Sequence, residues 1–213
     1  MPIELIAPEV ARYLEALVPP RPAELEAMEA EAARGGFPII GPTAGYFCYL
    51  VTRLSGARKV FELGSGFGYS TAWFARGVLE NGGGTVHHTV WDAALSERAR
   101  GHLKILGLGD QVEYHVGEAV DTLRKSAGQF DLIFNDIDKA DYPTAVPVIY
   151  AKLRKGGVLI VDNLLWGGKV LDAKDRSSGT TGVRELTRLV MDQSQWIASL
   201  VPIRDGLLLA TKK

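Results

Sequence analysis

The sequence predicts an α/β fold, a mainly parallel sheet covered on both faces by helices and closed by a C-terminal antiparallel hairpin. Three observations predict it. From residue 58 onward, short apolar runs alternate with helical segments, the pattern of repeated βα units. A glycine-rich turn, FELGSGFGYS at 61–70, joins the first of those runs to a helix, as at the nucleotide sites of such sheets. The chain closes with WIASLVPI and GLLLAT, separated by Arg204-Asp205-Gly206. Asp-Gly between two strand-like runs is a hairpin signal.

Each element follows from its residues. PEVARYLEALV (8–18) reads as a helix with Pro8 near its start. PPRP at 19–22 ends it, and AELEAMEAEAAR (23–34) is rich in strong helix formers. GGFPIIGP (35–42) reads as a loop, and TAGYFCYLVTRLSG (43–56) as a helix stopping at Gly56. Residues 1–56 thus form a helical extension of a single domain, 1–213, covering a sheet face or walling the active site. The strands are RKVFEL (58–63), TVHHTV (85–90), QVEYHV (111–116), FDLIF (130–134) and GVLIV (157–161), with helices between them. Residues 168–182 carry Gly, Ser, Thr and charge and read as a mobile loop. VRELTRLVMDQ follows as a helix.

Composition sets the outer limits. A chain of 213 residues with 46% hydrophobic content suits one core. A net charge of -1 and a pI near 6.4 lack the basic footprint of a nucleic-acid binder. The one cysteine, Cys48, excludes a disulfide framework and a multi-thiolate zinc site, and is expected as a small buried hydrophobe. The opening MPIELIAPEV has no basic region followed by an apolar one, so secretion is not expected. No apolar stretch reaches membrane-span length. The expectation is a soluble cytoplasmic protein without a membrane partner.

The glycine turn predicts a nucleotide-type ligand. Gly64 and Gly66, flanking Ser65, permit a tight turn and close ligand approach, and Gly68 permits close packing at the helix start. Such a turn fits NAD, FAD or S-adenosylmethionine. Glu62 ends the strand, and the spacing is GxGxG, not the GxGxxG that suits a pyrophosphate; both favour S-adenosylmethionine. Ser70 is placed for a ligand carboxylate or as a helix cap. The second strand ends in Val90, where an acid would hold ribose hydroxyls. Asp92 can substitute or can cap the next helix, and Trp91 can pack on adenine or enter the core. After the third strand, Gly117 allows close approach. Glu118, ahead of Ala119, reaches the adenine edge or serves as a first-turn acid.

Two later strands turn abruptly acidic. FDLIFNDIDKADY (130–142) and GGVLIVDNLLWGG (156–168) place Asp136, Asp162 and Asn163 at strand ends, where open α/β sheets bind ligands. Hard oxygen donors without imidazole or thiolate suit Mg²⁺, Mn²⁺ or Ca²⁺ over Zn²⁺. Such an ion would favour the ionised form of a vicinal diol. Lys139, three residues beyond Asp136, is the expected general base, its pKa depressed by a facing cation. Asp138 and Asp141 read as loop or cap residues.

FELGSGFGYS, FDLIFNDIDKADY, LRKGGVLIVDNLLWGGKV and LVPIRDGLLL resemble the motifs of the cation-dependent O-methyltransferases, the family of catechol and caffeoyl-CoA O-methyltransferases and their bacterial relatives. The resemblance runs from about residue 43 to the C-terminus. It implies a seven-stranded, Rossmann-like class I methyltransferase fold. It implies Asp136, Asp162 and Asn163 as metal ligands and Lys139 as base. It implies Glu62, Gly64 and Ser70 as S-adenosylmethionine contacts, with Asp136 beside them, a small aromatic diol as acceptor, and a homodimer. The chain departs from the pattern at Val90, in place of the ribose acid. It departs at Gly66, where bulkier residues are usual, and in Asn135-Asp136-Ile137-Asp138-Lys139.

Two other readings compete with a metal-dependent O-methyltransferase. An NAD-dependent oxidoreductase would leave Asp162-Asn163 without a task. A non-catalytic adenosyl-ligand-binding protein has the missing acid at Val90 as its only support. For the acceptor, Phe37, Ile39, Ile40, Tyr46, Trp166 and the 168–182 loop are candidate linings of an apolar pocket. Small catechols, flavonoids and hydroxycinnamoyl esters all fit that description.

Overall fold

In the computed structural model, the described residues are 5–192 and 194–213. Residues 1–4, part of the segment read above for a leader, and Gln193, at the end of the last expected helix, lie outside them. The strands are β1 (Lys59–Leu63), β2 (Thr85–Val90), β3 (Val112–Val116), β4 (Phe130–Asn135), β5 (Leu153–Val161), β6 (Trp196–Val201) and β7 (Leu207–Lys212). They form one sheet in the order β3-β2-β1-β4-β5-β7-β6. The first five are parallel, and β7 pairs antiparallel with both β5 and β6. This is the seven-stranded, Rossmann-like sheet with a terminal hairpin that the sequence implies.

Helices cover both faces. The N-terminal helices are α1 (Pro8–Ala16), α2 (Ala23–Gly35) and α3 (Gly41–Leu54), followed by α4 (Tyr69–Glu80) and α5 (Ala93–Ile105). Leu25, Met28, Cys48, Trp73 and Leu103 of α2–α5 share one buried cluster with Val60, Val86 and Leu132 of the sheet. On the other face lie α6 (Ala119–Lys125), α7 (Tyr142–Lys152) and α8 (Ser178–Met191), packed on Phe61, Ile133 and Leu159. Continuous apolar strands are expected of a sheet buried on both sides. Cys48 is fully buried, as expected. Helix α1 buries none of its side chains. Among the described residues no helix is long and apolar enough to cross a membrane.

Of the boundaries that differ from expectation, three are set by packing or pairing. Helix α3 begins at Gly41, two residues early. Strand β5 begins at Leu153, its pairing with β4 shifting between Phe130 and Leu132. Helix α8 begins at Ser178, so the last third of the segment read as a mobile loop is helical. Ser-Gly-Thr-Thr-Gly has poor helix propensity, and packing overrides it. A Cβ at Gly182 would collide with the backbone of Lys139, so the small residue lets α8 close onto that turn. The Arg184 guanidinium gathers the preceding segment by donating to the carbonyls of Lys169, Val170, Asp172 and Asp175.

Candidate active site

Register brings the candidate residues together. Leu63 of β1 pairs with Asn135 of β4, and Asn135 with Val161 of β5. The next residues, Gly64, Asp136 and Asp162, therefore emerge side by side at the C-terminal edge of three adjacent strands. Backbone bonds continue the alignment, from Asp136 N–H to the Leu63 carbonyl (2.8 Å) and from Asp162 N–H to the Asn135 carbonyl (3.1 Å). Strand order reverses between β1 and β4, the switch point where such sheets hold ligands. A cavity of about 740 Å³ opens there, running from Val90, Trp91 and Asp92 past Gly64 and Gly66 to Asp136, Lys139, Asp162 and Asn163.

Backbone shapes the half beneath β1 and β2. Gly64 has φ 87°, and a Cβ on it would lie 2.5 Å from the Asp136 carbonyl oxygen. Only glycine lets the two strand-end turns approach this closely. Gly66 (φ 51°) faces the Phe37 ring, 3.0 Å from where its Cβ would be. The bulkier residue usual here would displace Phe37, which stacks edge-on with Phe67. Gly68 packs on Ala99 of α5. Ser65 binds the end of β2 in both directions, its N–H donating to the Thr89 carbonyl and its hydroxyl accepting from Thr89 N–H, each at 2.9 Å. Ser65 and Ser70 line a small crevice joining this half of the cavity to Asp136. Ser70 makes no helix-capping bond.

Glu62 lies beneath that turn, wholly buried. The Thr71 hydroxyl donates to its Oε2 and stands 3.0 Å from His88 Nδ1. Burial pushes the Glu62 carboxyl up to about 7, opposed by the nearby Ser70, Thr71 and Ser65 hydroxyls. Its Oε1 has no hydrogen-bond partner. Burial lowers His88 to about 3, so it is neutral at physiological pH.

Side chains make the half beneath β4 and β5. Lys139 Nζ donates to Asp136 Oδ1 (2.7 Å) and to the Ile137 carbonyl (3.2 Å), near the rings of Tyr142 and Trp166. Asp162 is buried and its Oδ1 has no partner. Burial, reinforced by the Asp136 charge, pushes its carboxyl up to about 7; Arg204, with Nη1 3.8 Å from Oδ2, opposes this. Burial raises Asp136 as well, with Lys139 opposing. Asn163 takes φ 62°, a left-handed conformation that Asn tolerates. Its Nδ2 donates to Asp205 Oδ2 (3.2 Å), which turns its carbonyl oxygen away from the hairpin. Asp205 also accepts from Gly167 N–H (2.7 Å). Two converging carboxylates, one with an orphaned buried oxygen, and an oriented amide carbonyl fit a hard divalent cation.

The O-methyltransferase family matches residues 23–213. The chain belongs to that family. The match confirms the resemblance read from its motifs, and makes the protein an enzyme of methyl transfer to oxygen. A catechol O-methyltransferase of Mycobacterium tuberculosis is 36% identical over 183 residues, 84% of this chain and 82% of that protein. One of Niastella koreensis is 30% identical and covers 96% of both chains. Among solved structures, the O-methyltransferase of Bacillus cereus in complex with SAH superposes with a TM-score of 0.87, at 29% identity, over 96% of this chain and 97% of that one. TomG of Streptomyces achromogenes, in complex with SAM, gives 0.86 at 28% identity over 96% of each.

Within this O-methyltransferase, some expected residues lie elsewhere than expected. Glu62 does not line the cavity, because its side chain points under the turn toward α4. Glu118 is a helix cap, accepting from the N–H groups of Val120 and Asp121, which occupies both oxygens. Gly117 and Ala119 on either side do line the cavity. Trp91 is 72% exposed, so it does not enter the core, and it lines the cavity. Asp92 lines the cavity and also caps α5, accepting from Ala94 N–H (2.7 Å). Phe37, Ile39 and Trp166 line the large cavity and Ile40 the small crevice. Tyr46 packs against Tyr49 and Trp73 instead, and no residue of 168–182 lines either cavity. Arg204 was not singled out, yet it lines the cavity from the hairpin turn with φ 51°. A non-glycine residue in that conformation is a functional signal, invisible before the turn geometry is known.

Proposed function

We propose that this enzyme methylates one hydroxyl of a vicinal aromatic diol, with S-adenosylmethionine as methyl donor and a divalent cation, Mg²⁺ by preference and Mn²⁺ or Ca²⁺ by the same donor chemistry. The observation that carries this reading is the aligned pair Asp136 and Asp162, with Asp162 Oδ1 buried and unpartnered and Lys139 beside them. The relatives named catechol O-methyltransferase support the acceptor class. The solved relatives with SAM or SAH support the donor. Family membership leaves neither an oxidoreductase nor a non-catalytic binder any comparable support.

Asp136, Asp162 and Asn163 would hold the cation, which supplies Lewis-acid stabilisation of an ionised diol when bound. Gly64, Ser65, Gly66, Ser70, Trp91, Asp92, Gly117 and Ala119 would face the donor. Lys139 Nζ, steadied on Asp136, would accept the proton of the attacking hydroxyl. The donor, when bound, would supply the methyl group: its bond to sulfur would break as the bond to the ionised oxygen forms, leaving S-adenosylhomocysteine. Phe37, Ile39 and Trp166 would exclude water and fix the aromatic ring, so that rate enhancement rests on positioning and electrostatics. In this reading residues 1–213 work as one domain, with 1–56 covering the site. Phe37, Pro38 and Ile39 at the cavity wall support that role. It also takes the protein as a cytoplasmic homodimer; exposed Val10 and Tyr13 on α1, and Leu17 just after it, support a partner surface there.

Methyl transfer across a panel of catechols, hydroxycinnamoyl esters and monophenols, with and without Mg²⁺, tests the reading. Transfer to diols alone, lost on chelation and regained with Mg²⁺, is expected. Undiminished transfer by exhaustively chelated enzyme would overturn it.

A further inference from the structure

On the face of the sheet that packs α6 and α7, three side chains converge away from the cavity. His87 of β2 pairs in register with Glu113 of β3, and His115 lies two residues further along β3. Alternation sends all three to the same face. His87 Nδ1 lies 3.1 Å from His115 Nε2 and 3.6 Å from Glu113 Oε2, and His115 Nε2 lies 3.3 Å from Glu113 Oε1. A tetrahedral ion with nitrogen and oxygen ligands at about 2.0–2.2 Å sets its ligands roughly 3.3–3.6 Å apart. The three separations lie near that range.

We propose that His87, Glu113 and His115 form a second metal site, selective for a borderline transition ion such as Zn²⁺ or Co²⁺, that fastens the edge strand β3 to β2. Two imidazoles and one carboxylate suit such an ion and not Mg²⁺, so the site differs in chemistry from the carboxylate pair in the cavity. The imidazoles are held in place. Both stack on Phe61, and the Phe130 ring meets His87 edge-on at 5.1 Å. His87 is itself buried among these rings. Lys59 turns its ammonium onto the Ala127 carbonyl at 2.7 Å. Glu113 is exposed, which gives an ion an entry path and leaves a fourth position for water. A simple imidazole–imidazole hydrogen bond accounts for the 3.1 Å contact alone. It does not account for the carboxylate set against both nitrogens.

Tag-free protein is stripped with chelator and dialysed into excess Mg²⁺, which occupies any hard-oxygen site. It is then titrated with Co²⁺, followed by its visible ligand-field absorption, and back-titrated with Zn²⁺. One equivalent of Co²⁺ with the intense absorption of a tetrahedral site, displaced by Zn²⁺, is expected. His115→Ala and Glu113→Gln should each weaken Co²⁺ binding at least ~10–100-fold, the loss that even a residue behind a ligand produces. Asp162→Ala should leave the signal intact. Zn²⁺ should raise the melting temperature of wild type and of Asp162→Ala, but not of His115→Ala. Circular dichroism and S-adenosylmethionine binding serve as fold controls for each variant. No absorption in wild type, or absorption that survives His115→Ala and vanishes in Asp162→Ala, would overturn the assignment.

Discussion

The two halves of the cavity are built by different means. Beneath β1 and β2 the working surface is backbone: Gly64, Gly66 and Gly117 make room, and Ser65 ties the turn to the end of β2. Beneath β4 and β5 it is side chain: a buried carboxylate, Asp162, a half-buried one, Asp136, an amide fixed by Asp205 and a lysine on Asp136. In the first half, shape is the function, and a substitution acts through the fold. In the second, charge is the function, and a substitution of similar size can leave the fold intact while removing the chemistry. Substitutions on each side test that division.

The largest effect is expected at Asp162. Asp162→Ala should abolish metal-supported methyl transfer while leaving most S-adenosylmethionine affinity, because the proposed donor site lies against the other half. Radiolabelled methyl transfer and calorimetric titration of the cofactor read the two separately. Parallel loss of both would merge the halves into one cooperative unit. Lys139→Ala comes next, with kcat lowered about 10²–10⁴-fold, the usual worth of a positioned proton acceptor, and a smaller change in KM. A near-normal kcat at pH 7 would show that the diol loses its proton without Lys139.

How much of this was legible in the sequence divides along the same line. The βα repeat, the hairpin and the acidic strand ends were readable, because periodicity and strand–turn motifs are local in the chain. The carboxylate half was readable residue by residue, since side-chain chemistry travels with the letter. Asp205 read only as a turn former, whereas the fold makes it the partner that orients Asn163. Tyr46 carried the right chemistry on a helix face turned to Trp73. Glu62 and Glu118 sat at the right strand ends, but one side chain is spent on Thr71 and the other on a helix terminus. Helix α8 started early because Gly182 fits against Lys139, a contact between segments distant in sequence. Register and turn conformation decide such matters, and neither is local.

Glu62 sharpens the comparison from the backbone half, where a buried acid serves the fold. Its carboxyl stands near 7 in the folded protein, against 4.5 ordinarily. The folded state therefore keeps a proton that the unfolded chain has lost. Stability from this group falls as pH rises from about 4.5 to about 7 and then levels off. The difference is worth at most about 3 kcal/mol. Glu62→Gln, which keeps an acceptor for Thr71, should flatten that part of the stability profile measured by urea unfolding. Asp162 bends the wild-type curve in the same direction, so the quantity read is wild type minus variant. Parallel profiles would mean that Glu62 is ionised in the folded protein throughout that range.

The smallest expected effect is at Asp92, whose carboxylate lines the backbone half. Val90 ends β2 without an acid, and Asp92 lies two residues on, lining the cavity while its Oδ1 caps α5. A carboxylate has two oxygens, so capping leaves one for a ribose hydroxyl. Loss of the cap alone should cost about 1 kcal/mol of stability. Loss of a charged hydrogen bond to the donor should cost about 1.5 kcal/mol or slightly more, roughly a tenfold weakening of S-adenosylmethionine binding. Thermal unfolding of the free protein and calorimetric titration of the cofactor separate the two. Asp92→Ala should lower both stability and affinity. A fall in stability with unchanged affinity would confine Asp92 to the helix terminus. Val90→Glu supplies the converse: tighter binding in that variant, with Asp92→Ala silent toward cofactor, would place the missing ribose contact at the strand end. The donor half would then work without a carboxylate of its own, and the contrast with the paired carboxylates of the other half would be sharper.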